Sequence, residues 1–310
     1  MNLVKSKKLT VIGAGLWGTT LAHLASKNQH QVSLWSRRYN QSLASSLIDS
    51  EVIVSAVSMS GVRPVIEQIQ AMGLSESVII VTATKGLDSL TTKTPSQIWS
   101  IAFPHNAIAV LSGPNLSKEI NQGLPTATVV SSKNLAAATT IQSIFASEQF
   151  RVYINSDPLG TELGGTIKNV MAIAAGVCDG LQLGTNAKAA LLTRALPEMI
   201  RIGKYFGAVT ETFFGLSGLG DLLATCAGPL SRNYLVGYKL AQGIPLSQIV
   251  AEVDGTAEGI NTTKVLVLLA NQHQINLPIT KEINRVLEGQ TTPQAAVRAL
   301  MERELKSEWS

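Results

Sequence analysis

The chain is poor in several things, and each shortage excludes something. Of 310 residues only two are cysteine, Cys178 and Cys226. Two thiols in so long a chain cannot make a disulfide framework, so a reduced, cytoplasmic setting is expected. Aromatic residues make up 5% and charged residues 15%, and no Lys/Arg run exceeds two residues. That combination lacks the basic footprint of a nucleic-acid binder. No apolar run reaches the ~18 residues that a membrane helix needs. The four histidines, His23, His30, His105 and His273, are scattered, and neither cysteine has ligand-like spacing, so no metal site is expected. What is abundant is apolar material, 45% of the chain, enough for two domains with their own cores. The formal net charge of +4 suits an enzyme of anionic metabolites.

The segment KSKK followed by LTVIGAGLWGTTLAHLA has the charged-then-apolar outline of a signal peptide. Three glycines at special spacing, with no convincing cleavage region after them, argue against that reading. From there, short apolar runs alternate with helix-compatible stretches. Strands are expected at residues 9–13, 31–35, 51–57, 77–82, 107–111 and 127–131, with helices such as 62–72 between most of them. Such alternation predicts a parallel sheet covered on both faces. Past residue 153 the pattern changes. Asp157-Pro158 resembles an N-cap followed by proline at the first helical position. Helices are expected at 187–206, 231–241, 262–272 and 292–303, without strand signals. The fold class is therefore an α/β Rossmann-type N-terminal domain with a mainly parallel sheet, plus an all-α C-terminal domain. The expected division is 1–153 and 154–310, with no linker and no internal repeat.

After the first strand comes Gly13-Ala14-Gly15-Leu16-Trp17-Gly18, a G-x-G-x-x-G. Glycines there permit a tight turn and let the main chain approach a pyrophosphate, while the helix N-terminus offers free N–H groups. The pattern follows a strand and opens a helix, which is the context that dinucleotide binding requires. About twenty residues on, an NAD site would carry Asp or Glu for the ribose 2′-hydroxyl. This chain has Ser36-Arg37-Arg38 instead. Two guanidiniums suit a 2′-phosphate, so NADP(H) is preferred and NAD(H) remains possible. A solvated arginine pair at a strand end is the bland alternative.

The stretch Thr161 to Ala175, TELGGTIKNVMAIAA, is nearly all small and apolar, yet Lys168 and Asn169 sit in its middle. Other polar residues keep similar company. Lys85 lies in Thr-Ala-Thr-Lys-Gly-Leu just after the fourth strand, and Gly113-Pro114-Asn115 follows the fifth. Carboxyl ends of parallel strands face the ligand crevice. Asp221 ends the glycine-rich GLSGLGD, and Ser231-Arg232-Asn233 offers a hydroxyl, a guanidinium and an amide in succession, a plausible oxyanion cradle. Taken singly, Asp221 or Ser231 could cap a helix, Lys85 could be a surface turn lysine, and Lys168 could snorkel to solvent.

Together these motifs resemble the bacterial NAD(P)-dependent glycerol-3-phosphate dehydrogenase family. The matching stretches are GAGLWGTTLA, ATKGL, SGPNLSKEI, ELGGTIKNVMAIAAGVCDGL, FGLSGLGDLLATC, SRNYLVG and TAEGINTTK, in order and over nearly the whole chain. The resemblance implies interconversion of dihydroxyacetone phosphate and sn-glycerol 3-phosphate, supplying glycerol phosphate for phospholipid synthesis. It implies Lys168 as the catalytic proton carrier. Lys85, Gly113, Asn115, Asp221, Ser231, Arg232 and Asn233 would bind substrate with it. Gly13, Gly15, Leu16, Trp17, Gly18, Arg37, Arg38, Lys85, Ser117, Arg232, Thr256 and Glu258 would meet the cofactor. Partial burial and the Lys85 ammonium would lower the Lys168 pKa toward neutrality, with Asp221 pulling the other way. A homodimer is the ordinary state for such enzymes.

The chain also departs from that family. Only residues 39–50 separate Arg38 from the next strand, so the third strand of a 3-2-1-4-5-6 order would be missing and strand two would become the edge. Leu16 stands where a small polar residue is common. Two rivals follow: a related 3-hydroxyacid or 6-phosphogluconate-type dehydrogenase, and a dinucleotide-binding protein without turnover.

Overall fold

Seven strands make one sheet in this structure, a computed structural model that describes residues 6–253, 255–305 and 307–308. They are β1 (Lys8–Ile12), β2 (Gln31–Trp35), β3 (Val52–Ser55), β4 (Ile79–Thr82), β5 (Ile108–Ser112), β6 (Thr126–Ser132) and β7 (Phe150–Asn155). Their order is β2-β1-β3-β4-β5-β6-β7. β1 to β5 are mutually parallel, β6 runs antiparallel to β5, and β7 is parallel to β6. As expected, β2 is an edge strand and the first strand pairs directly with the Val52–Ser55 strand. The inner strands are apolar from end to end because both faces are covered. One face buries Leu21, Leu24, Ile141 and Phe145, and the other Val62, Ile66, Ile69 and Trp99.

Helices α1 (Leu16–Lys27), α2 (Leu43–Leu47), α3 (Met59–Met72), α4 (Pro95–Ala102), α5 (Ser117–Asn121) and α6 (Leu135–Phe145) connect the strands. The remaining helices are α7 (Pro158–Gly180), α8 (Gly184–Phe206), α9 (Asp221–Cys226), α10 (Arg232–Ala241), α11 (Leu246–Glu252), α12 (Glu258–Gln272), α13 (Pro278–Leu287) and α14 (Pro293–Met301). A 3-10 turn at Thr210–Phe214 and a π turn at Leu216–Gly220 precede α9.

β7 corrects the expectation that strands end near 131, and residue 153 falls inside it. Its FRVYIN alternates, with Phe150 and Val152 buried and Arg151 and Tyr153 outward. The Arg151 guanidinium lies 5.1 Å from the Tyr153 ring centre. α11 and α13 were not singled out by the sequence.

α7 is the axis of the helical part, buried without interruption from Gly160 to Cys178. Asp157 caps it through Gly160 N–H, with Pro158 at the first position, as the sequence indicates. Small residues let neighbours close on it. A Cβ on Gly176 would lie 2.0 Å from Tyr234 O, and one on Gly237 would lie 1.9 Å from Ile173 O, so α7 and α10 meet backbone to backbone.

Candidate active site

The glycine turn after β1 divides its labour among three glycines. Gly13 has φ +114°, and a Cβ there would sit 2.6 Å from Ala56 O. A Cβ on Gly18 would sit 1.8 Å from Gly13 O, so this glycine lets α1 pack on the strand. Gly15 has nothing within 4 Å of its Cβ direction. It is also the N-cap of α1 and brings no capping side chain, so first-turn N–H groups lack a side-chain acceptor. An open glycine at an uncapped helix start fits a pyrophosphate. Leu16 is exposed at the first helical position, and Trp17 packs half-buried against the sheet core. Arg37 and Arg38 are exposed in the turn that follows β2. Ser117 opens α5, whose Asn121 Oδ1 accepts from Thr20 Oγ1 of α1 at 3.0 Å.

The lysines meet on one carboxylate. Lys168 Nζ is 3.0 Å from Asp221 Oδ1, and Lys85 Nζ is 2.6 Å from Asp221 Oδ2. Lys85 Nζ also donates to Gly113 O at 3.3 Å. Thr225, which the sequence reading missed, lies 2.5 Å from Lys168 Nζ and 3.1 Å from Asp221 Oδ1. It is four residues after Asp221 on α9, a spacing that puts both on one helix face and could have been read. Asp221 therefore does not serve as a helix cap, and Lys168 does not snorkel: it is 6% exposed and Asp221 1%.

Glycines again explain how the approach is possible. A Cβ on Gly164 would strike Ser217 O at 2.7 Å, and one on Gly165 would strike Ser112 Oγ at 2.2 Å and Lys85 Cε at 3.3 Å. α7 can thus lie against the π turn and the end of β5 at once. Burial pushes the Lys168 amine down to about 8, Asp221 resists that shift and Lys85 adds to it. Lys85 keeps 21% of its side chain exposed, so the cluster reaches the surface at that end. Beside it, Asn115 Nδ2 donates to Thr128 Oγ1 at 2.9 Å, while Asn115 Oδ1 and Ser112 Oγ are buried without a protein partner.

A second group forms where α10 and α12 begin. Ser231 Oγ caps α10 through Tyr234 N–H at 3.3 Å, the bland role foreseen for it. Asn233 Oδ1 accepts from Gly259 N–H at 3.0 Å, and a Cβ on Gly259 would lie 2.7 Å from Asn169 O. This group therefore borders α7 one residue from Lys168. Arg232 is exposed beside Gly255, and its charge acts on Glu258. Glu258 Oε1 accepts from Met59 N–H at 3.0 Å, and its pKa is raised by burial. Thr256 is exposed. Leu16, Arg37, Arg38, Ser117 and Thr256 take no part in the hydrogen-bonded lysine network. Among the described residues no group of three or more His, Cys, Asp or Glu could hold a metal. No helix among them is long and apolar enough to cross a membrane.

The arrangement can do specific chemistry. An amine near pKa 8 exists in both protonation states close to neutrality and can move a proton either way. It stands at the carboxyl ends of the strands, the rim on which the glycine turn also lies.

Comparison with known proteins points the same way. Residues 8–44 and 38–138 match the family model described as NAD-dependent glycerol-3-phosphate dehydrogenase N-terminus, and residues 157–298 match its C-terminus. A glycerol-3-phosphate dehydrogenase [NAD(P)+] of Synechococcus is 59% identical over 99% of both chains. One from Synechocystis is 60% identical, over 97% of this chain and 95% of its own length. The crystal structure of glycerol-3-phosphate dehydrogenase from Coxiella burnetii covers 96% of this chain and 99% of its own, at 33% identity and a TM-score of 0.91.

Proposed function

This chain belongs to the NAD-dependent glycerol-3-phosphate dehydrogenase family, and from that premise we propose that it interconverts dihydroxyacetone phosphate and sn-glycerol 3-phosphate with a nicotinamide cofactor, for phospholipid synthesis. The observation that carries the reading is the pair of lysines on Asp221 at the carboxyl rim of the sheet.

Bound NAD(P)H supplies the hydride, and the chain supplies everything else. The glycine turn would hold the pyrophosphate at the open Gly15, with Gly13 and Gly18 shaping the turn and Leu16 and Trp17 beside it. Arg37 and Arg38 meet the 2′-phosphate and set a preference for NADP(H). Ser117, Thr256, Glu258 and Arg232 close the cofactor site. Ser231, Arg232 and Asn233 bind the substrate phosphate, and that fixes the ketone in line for reaction. Gly113, Asn115 and Lys85 line the reacting end. As negative charge grows on the carbonyl oxygen, the Lys168 ammonium gives it a proton and the C–O⁻ becomes an alcohol. In the reverse direction the free amine takes that proton back. Asp221 holds both ammoniums in place and keeps Lys168 from losing its charge too easily. The dinucleotide part, shortened before β3, runs to the end of β7 at Asn155 rather than stopping at 153, and the substrate part begins with α7 at Pro158. The enzyme acts in the cytoplasm as a homodimer, which a solution mass about twice 32.9 kDa tests.

The decisive assay adds dihydroxyacetone phosphate to the full chain with NADPH and, separately, NADH, and follows cofactor oxidation. Oxidation that is faster with NADPH is expected. Cofactor binding without turnover would leave only a dinucleotide-binding protein. Turnover of a 3-hydroxyacid or of 6-phosphogluconate in place of the triose phosphate would overturn the substrate assignment.

A further inference from the structure

Lys85 comes from the sheet side of the cleft, yet the main chain that carries it is held from the helical side. Gly86 N–H, one residue on, donates to Thr166 Oγ1 at 3.0 Å. Leu87 C=O accepts from Asn261 Nδ2 at 2.9 Å. Thr166 is fully buried on α7, two residues before Lys168, and Asn261 is half-buried on α12. Gly86 itself passes close to α3, where a Cβ would be 3.0 Å from Met59 Cβ. The loop's far end is tied to α3, where Arg63 Nε and Nη2 donate to Asp88 at 3.3 and 2.6 Å. None of these groups touches the Lys85 ammonium.

We propose that Thr166 and Asn261 are positioning residues, which grip the consecutive Gly86 N–H and Leu87 C=O and so set where Lys85 stands relative to Asp221 and Lys168. A lysine stem has many rotamers, so the ammonium is only as well placed as the backbone it hangs from. Buried main-chain groups must find partners, and both partners here belong to the part that carries Lys168. Thr166 thereby locks Lys85 to the same helix as the other lysine. The inference deepens the proposed function and rests on it.

The consequence is electrical. The charged or titratable groups acting on Lys168 are Asp221 and Cys226 on α9 and Lys85 on the loop. If the loop loses its grip, Lys168 is rid of a like charge and has Asp221 to itself. Both changes favour its ammonium form, so its titration moves to higher pH. Oxidation of the alcohol, which needs the free amine, then begins at higher pH, and reduction persists to higher pH.

The test is a pH titration of full-length protein carrying ¹³C-lysine, reading the Lys168 Cε signal, which is assigned by its loss in Lys168→Met. Thr166→Val and Asn261→Leu should each raise the midpoint by about half a unit or more, the scale of a displaced neighbouring charge. Thr166→Ser, which keeps the hydroxyl, should leave it where the wild type has it. A purely structural residue would lower thermal stability and leave the midpoint in place. An unchanged midpoint in folded Thr166→Val overturns the proposal. If that variant does not fold, an unchanged midpoint in Asn261→Leu, at its half-buried position, does the same. The titration needs no turnover, so a wild type that ignores dihydroxyacetone phosphate would sink the functional reading and leave this result legible.

Discussion

α7 carries a buried carboxyl and a buried amine six residues apart, Glu162 and Lys168, and they are held in opposite ways. Glu162 is 1% exposed. Its oxygens accept from Ser96 N–H at 2.9 Å and from the Ser96 hydroxyl at 2.5 Å, in the first turn of α4. Burial pushes its carboxyl up to about 7, and no charged side chain is among the causes. Lys168 is nearly as buried, but it faces a carboxylate and, across it, a second amine. A perturbed pKa by itself therefore does not mark a site. Glu162 has neutral partners and joins α7 to α4. Lys168 has partners whose charge sets its proton affinity, and one of them reaches the surface. The difference between a joint and a reagent lies in the surroundings.

Removing the reagent should give the largest effect. Lys168→Ala should cut turnover of dihydroxyacetone phosphate by ~10²–10⁴, the usual worth of a general acid. Steady-state rates at saturating substrate measure this, and a loss smaller than about tenfold would place the proton donor elsewhere. Asp221→Asn should follow, with a loss of about 10²-fold, because two ammoniums would then face each other in a buried cleft without a counter-charge. The Lys168 amine should fall below its present value of about 8, since Asp221 is what raises it. The oxidation limb of the pH profile then shifts to lower pH, the opposite direction from loosening Thr166.

Glu162→Gln tests the joint. The folded pKa of Glu162 is raised from 4.5 to about 7. Between those values the folded chain holds a proton that the unfolded chain has released. The stability that this proton represents is fully present at low pH and is lost as pH rises toward 7. The loss is roughly 3 kcal/mol. Glutamine keeps the shape and abolishes the slope. The variant should lose less stability than wild type between pH 5 and pH 8, in denaturant titrations at each pH (about those two values, chosen to bracket the shift). Turnover should stay within severalfold. A hundredfold loss of turnover without loss of stability would make Glu162 part of the chemistry and collapse the contrast.

Much of this contrast was legible in the sequence, and the rest has physical reasons for being hidden. β1 to β6 were readable because strands covered on both faces are short apolar runs. β7 was not, because it turns Arg151 and Tyr153 outward, so its signal was a faint alternation. The glycine turn was readable from spacing. The meeting of Lys85 with Asp221 was not, since 136 residues separate them and only the resemblance brought them into one site. Asp221 and Thr225 were readable as an i, i+4 pair, yet only the fold shows that the face they share looks at Lys168. Glu162 drew no notice: one acid in a helix of small residues says nothing of the helix start that receives it.

The smallest expected effect concerns cations that are not buried. Arg37 and Arg38 sit exposed in the turn after β2, and among the described residues no acidic side chain is paired with either. Charges in water interact weakly and are screened by salt. Replacing both by serine should therefore leave kcat with NADPH nearly unchanged and raise its KM by about three- to tenfold at low salt. The KM for NADH, which has no 2′-phosphate, should hardly move. Raising the ionic strength to about 1 M, where the screening length is about 3 Å, should erase most of the difference between variant and wild type. Salt should not erase the effect of Lys168→Ala, because a buried amine is beyond the reach of screening ions. An equal rise in KM for both cofactors would show that the arginines hold something other than the 2′-phosphate. It would leave the two cofactors undistinguished at this site, since the main chain of the glycine turn meets only what they share.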